Sequence, residues 1–462
     1  MIENNESKQV SFKQGIIPVI TMAIFILMAV LVWQVPIHLA LFFELTVTIL
    51  LAMYWGFDWD QIEEMLFSSF KSIGNVIIIL LLIGMMIGVW IGSGTVPSMI
   101  YYGIKVLHPQ YFLVLSFVIT SLVSMAVGTA IGTASTIGLA LISIAQGFGL
   151  PLPLVAGAII SGCYVGDRMS PVSSIAVITA HSAETNLMKM IKHMAKSVFP
   201  PYLISFILYL IIGLIYLPGG VEVGQVQYLL NGLDANFVIT LWLLLPPILI
   251  IILAIKQTPT VLNLIINIFA SILLGILVSK NGWVELLNNM FRGVNSQTGI
   301  QVLDNLLARG GLTSMLELIS LIIFAVLLGG LFKELGVLNS ILDKLIKVIH
   351  NKGQLISITM ASSAITAMLG CNQFLAVFLP SQMMGKKFDE LNVPRKDLGR
   401  ALGDSGLILS PMIPWNVNAL MMTGVLGVST LRYFPFAFLP LLLPITGIIL
   451  GFMTNSNAEK KG

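Results

Sequence analysis

The segment Gly166-Asp167-Arg168-Met169-Ser170-Pro171-Val172-Ser173-Ser174 sets a carboxylate, a guanidinium and three hydroxyls inside an otherwise apolar stretch. A second segment, Gly403-Asp404-Ser405-Gly406 followed by Ser410-Pro411-Met412-Ile413-Pro414-Trp415-Asn416, does the same far downstream. An acid in the middle of a lipid-spanning helix costs about 2.5–3.5 kcal/mol on insertion scales, so it is expected to face a cavity or a partner. Pro171 has no N–H to donate and Gly166 loosens the chain beside the acid, so the helix should break here and free its carbonyls. Pro411 and Pro414 act likewise after Asp404. Carboxylates, hydroxyls and unwound carbonyls are hard oxygen ligands, suited to Na⁺ or to a proton. One carboxylate that takes either in turn is the minimal machinery of exchange. The residues expected to act are Asp167 and Asp404 as shared Na⁺/H⁺ ligands, with Ser170, Ser173, Ser405, Ser410 and Asn416 supplying neutral oxygens. Two structural alternatives fit the same residues: a permanent ion pair of Asp167 with Arg168 or Arg400, and a mere kink at the second segment.

Two long apolar runs, 111–146 and 354–385, are interrupted near their middle. The first breaks at Gly128-Thr129-Ala130-Ile131-Gly132-Thr133-Ala134-Ser135-Thr136, the second at Gly370-Cys371-Asn372-Gln373. Each run reads as two full spans or as a re-entrant hairpin. At a re-entrant tip the second arm points its positive amino end inward. Thr129, Thr133 and Asn372 then offer hydroxyl and amide groups to an ion or a small carboxylate. Gly, Ala, Ser and Thr also line tight helix interfaces in membranes, so a packing face is the alternative for the first turn. Glu44 lies mid-span and is a weaker candidate for a proton path, whereas Glu317 and Glu334 lie near span ends and are expected to reach the interface.

What must position these groups is a membrane-embedded helical frame. Hydrophobic residues make up 57% of the chain and charged residues 10%, where soluble domains carry about 25% charge. Mean hydropathy is +0.96, and many runs reach the roughly 18 residues of a span. The expected fold is an all-α polytopic membrane protein, with the lipid bilayer as its first partner. The net charge of +3 comes without a basic run, which argues against nucleic acid. Cys163 and Cys371 lie in apolar surroundings without ligand spacing, so neither a disulfide framework nor a metal centre is expected. No Walker loop or catalytic triad is present, so neither ATP drive nor an enzyme is expected, and the only cofactors would be the transported ions.

The frame repeats. Gly88, Gly94, Ser98, Ile104-Lys105-Val106 and His108 recur as Gly330, Gly336, Ser340, Ile346-Lys347-Val348 and His350, each pair 242 apart (330 − 88 = 242). The same offset carries Gly128 to Gly370, after which the register drifts, so that Asp167 and Asp404 are 237 apart (404 − 167 = 237). Lys189, Lys192, His193 and Lys196 stand without an acid in 187–197, which places that stretch in the cytoplasm. The loop 218–235, with Glu222 and Asp234, goes outside, while Lys256, the basic-rich 386–400 and Lys460-Lys461 return inside. Asp58, Asp60, Glu63 and Glu64 fit their cytoplasmic side less well. With each hairpin making no net crossing, ten crossings follow and the two halves run in opposite directions. Inverted repeats with broken helices are a common plan of secondary transporters. The expected organisation is a cytoplasmic segment at 1–15, a first transmembrane helix at 16–36 and inverted repeat 1 at 37–217. A connecting loop and linker helix at 218–260, inverted repeat 2 at 261–454 and a cytoplasmic tail at 455–462 complete it.

The first signature segment resembles the Gly-Asp-Lys/Arg-Met-Ser-Pro-Leu-Ser motif of the NhaC family of sodium/proton antiporters. Asp404-Ser405-Gly406, Ser410-Pro411 and Pro414-Trp415-Asn416 are similar to its second signature, and Gly370, Asn372 and Gln373 fit the turn before it. The resemblance spans essentially the whole chain. It implies the ion-transporter superfamily fold: two inverted repeats, each with a re-entrant hairpin and a broken helix, often dimeric and moving like an elevator. The chain departs from the pattern at Ser174 and Gly403, where many members carry an acid. The function expected is Na⁺/H⁺ antiport in a bacterial inner membrane. The alternative is a Na⁺/H⁺-coupled exchanger of a small organic anion, such as malate for lactate, or of an amino acid.

Overall fold

The computed structural model describes residues 9–216, 223–295, 298, 304, 307–308 and 310–459. Residues 1–8, Glu222, Lys460 and Lys461 lie outside the described residues. Every regular element among the described residues is helical, as a lipid environment demands of backbone that must satisfy its own hydrogen bonds.

The first half comprises α1 (Phe12–Trp33), α2 (Ile37–Tyr54), α3 (Trp59–Lys71), α4 (Gly74–Gly92) and α5 (Thr95–Val106). After these come α6 (Pro109–Val127), α7 (Ala130–Gly147), α8 (Leu152–Met169), α9 (Ser174–Ser182) and α10 (Leu187–Tyr216). The basic stretch 187–197 forms the first part of α10. A connecting helix, α11 (Val223–Asn236), leads to the second half, which opens with α12 (Leu245–Ile255), α13 (Thr260–Leu277) and α14 (Trp283–Arg292). Then come α15 (Leu316–Glu334), α16 (Val337–Ile346), α17 (Lys352–Leu369), α18 (Gln373–Glu390) and α19 (Arg395–Leu402). The chain ends with α20 (Val417–Leu426), α21 (Thr430–Tyr433) and α22 (Phe438–Glu459). Among the described residues eight helices are long and apolar enough to cross a membrane, or up to ten if each of two bent pairs is one span.

Both interrupted runs are helical pairs broken at the expected turns. The left-handed residue is Gly128 in the first turn but Cys371, not Gly370, in the second. The 242-residue offset joins α4 to α15, and it has a conformational reason at Gly94 and Gly336. Both precede a helix in left-handed backbone (φ 85° and 79°), which glycine adopts without strain. A second offset joins α2 to α13. Gln34 and Gln257 are both left-handed, Pro36 and Pro259 both cap the helix that follows, and buried Glu44 and Thr48 correspond to buried Asn267 and Ser271 (257 − 34 = 223). Packing is reciprocal: α2 and α3 lie on α15, while α13 and α14 lie on α4.

Candidate ion-binding site

The first broken helix is pressed onto its hairpin by small residues. α8 packs along α6 more extensively than any other pair of elements. A Cβ at Gly166 would run into the backbone of Ser124 and Met125, and one at Gly162 into Thr120. The Ser124 hydroxyl donates to the Cys163 carbonyl across this contact. Gly166 thus permits a close approach rather than merely loosening the chain. That approach carries Asp167, one residue on, to the turn after α6. Asp167 Oδ1 accepts from Ala130 N–H at 3.1 Å, at the amino end of α7, where the helix dipole favours an anion. The carboxylate is 6% exposed, and no ion pair with it is present among the described residues.

The break beyond Asp167 is held by its own hydroxyls. Ser170 Oγ donates to Met125 O at 2.7 Å, and Ser173 Oγ donates to Asp167 O at 2.5 Å while capping α9 by accepting from Ala176 N–H. Thr129 accepts from Gly132 N–H and caps α7, and Thr133 Oγ1 donates to Thr129 O at 2.8 Å. Thr129, Thr133, Ser170 and Ser173 are therefore gathered round the Asp167 turn. Beside them opens a cavity of about 450 Å³, lined by Gly128, Thr129, Thr136, Ser174, Thr260 and Asn263 among others, with no charged side chain in its wall among the described residues.

The second segment is gathered differently. Asp404 lies in a π-helical turn, Gly403–Leu407, and is fully buried. Its Oδ1 accepts from Arg168 Nη2, and its Oδ2 lies 3.4 Å from Arg400 Nη1. Ser197 Oγ adds a contact to Oδ1 at 3.4 Å. Both arginines that could have paired with Asp167 therefore turn to Asp404, and the carboxylates of Asp167 and Asp404 stand in separate environments. Ser405 donates to Ala401 O. Farther along, Asn416 caps α20 through Asn418 N–H and donates to Ala367 O at 2.8 Å, while Ser410 Oγ accepts from Asn418 Nδ2 at 3.0 Å. Asn372 caps α18 by accepting from Phe374 N–H. Asn416 thus fastens the second break to the second turn, while the bonds of Asn372 and Ser410 stay within their own segments. The halves interlock here: α9 packs on α18, and α20 packs on α7.

Charges continue from Asp404 toward the surface. Arg400 Nε lies 3.9 Å from Asp397 Oδ1, Lys352 Nζ 3.5 Å from Oδ2, and His193 Nε2 2.5 Å from Oδ1. Burial pushes the Asp397 carboxyl up, but the His193 hydrogen bond and the Lys352 and Arg400 charges outweigh it and hold it below the usual carboxylate range. The signature segments give no role to Asp397, Ser197 or Lys352. The signal that could have found Asp397 is the i, i+3, i+7 spacing of Asp397, Arg400 and Asp404, which sets the three on one helical face.

Comparison with known proteins matches residues 162–454, which include both signature segments, 166–174 and 403–416, to the model of the Na⁺/H⁺ antiporter family. The chain is 32% identical over 419 residues to the malate-2H⁺/Na⁺-lactate antiporter of Bacillus subtilis, covering 91% of this chain and 90% of that one. It is 32% identical over 450 residues to the Na⁺/H⁺ antiporter NhaC of Bacillus subtilis, covering 97% and 99%. It is also 32% identical over 447 residues to the NhaC antiporter of Alkalihalophilus pseudofirmus, covering 95% and 96%.

Proposed function

The chain belongs to the Na⁺/H⁺ antiporter family, and from that premise we propose that it is a secondary antiporter exchanging Na⁺ for H⁺ across the bacterial inner membrane, with Asp167 holding the two ions in turn. The observation that carries the assignment to Asp167 is its lack of a cationic partner among the described residues. A buried carboxylate left without Arg or Lys has its charge answered by one backbone N–H alone, so a proton or Na⁺ completes it. The two cannot occupy it together, and mutual exclusion is what couples their fluxes. The polar cavity beside Thr129 and Ser174 is the approach for the ion. Ser173 and Thr129 are its neutral ligands, and Asp404, neutralised by Arg168, ties the second half to the same event. The reciprocal packing of the halves supports inverted repeats and alternating access; on the family resemblance alone the proposal extends to a homodimer.

A second reading, coupled exchange of a small organic anion, is favoured by that same cavity. The amino ends of α7, α9 and α13 meet its wall near Thr129, Ser174 and Thr260, no acid among the described residues lines it, and one relative is a malate-2H⁺/Na⁺-lactate antiporter. Proteoliposomes with a pH-reporting dye separate the two. Proton movement with Na⁺ alone supports Na⁺/H⁺ exchange, and movement only when malate or lactate is added overturns it in favour of the second reading.

A further inference from the structure

Glu44 is the one buried glutamate among the described residues, with 0% exposure in the middle of α2. Its Oε1 accepts from Thr21 Oγ1 of α1 at 3.1 Å and from Thr48 Oγ1 at 3.0 Å. Its Oε2 is buried without a hydrogen-bond partner. The elements packed on it carry Lys13 (α1), His38 (α2), Lys71, Asp58, Asp60, Glu63 and Glu64 (at or on α3), and Glu317, Lys333 and Glu334 (α15). Among the described residues none of these pairs with Glu44; Lys333 holds Glu334, and His38 bonds the Glu317 carbonyl.

The corresponding place in the second half shows what Glu44 lacks. The 223-residue offset carries Glu44 to Asn267, and the 242-residue offset carries Trp90 of α4 to Phe332 of α15. Asn267 is fully served: its Oδ1 accepts from Trp90 Nε1 at 2.9 Å, and its Nδ2 donates to Pro246 O at 2.7 Å. α2 packs on α15 as α13 packs on α4, yet Phe332, buried like Trp90, has no N–H to give. The first half therefore sets a carboxyl where the second sets an amide, and a hydrocarbon ring where the second sets a donor. An ionised carboxylate with an unanswered oxygen, away from water and cations, is among the costliest groups a fold can bury. A neutral acid has the amide's shape and none of the charge.

We propose that Glu44 is a second proton-binding site, separate from Asp167: it holds a proton as a neutral acid in this conformation, and losing that proton loosens the contact of α1, α2 and α15. The site stands on these contacts alone and does not depend on which ion Asp167 carries.

Infrared spectroscopy of the full-length protein in lipid nanodiscs, labelled with ¹³C-glutamate, tests it. At neutral pH a carboxylic-acid C=O band should shift with the glutamate label and be lost in Glu44→Gln. As pH rises, loss of the band should coincide with faster amide hydrogen exchange in α1 and α2, corrected for the chemical rate, and Glu44→Gln should stay protected. Absence of a glutamate-sensitive acid band in the wild type overturns the proposal. So does a band that disappears while exchange in α1 and α2 stays unchanged. Both of these outcomes are read from the wild type, so a Glu44→Gln protein that fails to fold leaves the test intact.

Discussion

Arg168 of the first broken helix donates to Asp404 of the second, with 1% and 0% of the two side chains exposed. The residue next to the candidate ion carrier is thus fastened to the opposite half of the molecule. Charges taken so far from water are tolerated only while paired, and removing one partner costs about 3–5 kcal/mol. Asp404→Asn and Arg168→Gln should each lower the unfolding temperature of the detergent-solubilised protein sharply. The double variant should lose less than the sum of the two, because it strands neither a buried arginine at 168 nor a buried carboxylate at 404, and Arg400 keeps Asp397 as its partner. Thermal unfolding of the three variants checks this; strict additivity would show that the pair is not coupled.

Asp167 should behave in the opposite way. Among the described residues it has no ion-pair partner to strand, and an amide oxygen can still accept from Ala130 N–H, so Asp167→Asn should cost well under the about 3–5 kcal/mol expected of breaking the Arg168–Asp404 pair. The amide cannot take up a proton or neutralise Na⁺, so transport in proteoliposomes should fall to background. A variant that transports normally removes Asp167 from the ion path.

The helical membrane frame, both turns and both broken helices are legible in the sequence, because an acid beside proline in an apolar run both breaks a span and needs a cavity or a partner. Which carboxylate Arg168 and Arg400 choose is not. Arg168 is adjacent to Asp167 in sequence, but pairing across 236 residues is a matter of packing. Nor does the kinship of α2 and α13 stand out there: Gln34 and Pro36 match Gln257 and Pro259, but two matches carry little weight until the left-handed backbone and the shared buried face are seen. Gly166 is legible as special, but its reason, the Ser124 backbone against it, belongs to a neighbouring helix.

That contact yields a third expectation. In Gly166→Ala the new methyl meets main chain, which cannot rotate aside. Overpacking of this kind costs about 1–3 kcal/mol. It also pushes α8 off α6 and draws Asp167 away from Ala130, so apparent Na⁺ affinity should weaken together with stability. Gly74→Ala, where nothing lies within 4 Å of the added atom and the helix cap is Ile73, is the control and should weaken neither. Unfolding temperature and the Na⁺ dependence of proton flux, measured on both variants, decide it.

The surface end of the charge ladder makes a prediction about acid. Asp397 is held below the usual carboxylate range once the His193 hydrogen bond and the Lys352 and Arg400 charges have outweighed its burial. A carboxyl depressed in the folded state stabilises the fold above its unfolded value of about 3.9 and loses that contribution as pH falls through the folded value. The stability difference between wild type and Asp397→Asn should therefore close as pH falls below about 4. Because Asp397 also steadies Arg400, which in turn contacts Asp404, the variant should be less stable at neutral pH and slower in exchange. Unfolding temperatures of the two proteins, recorded from neutral to strongly acid pH, test the sign. A gap that persists unchanged into strongly acid pH would show that Asp397 is not held ionised by its neighbours.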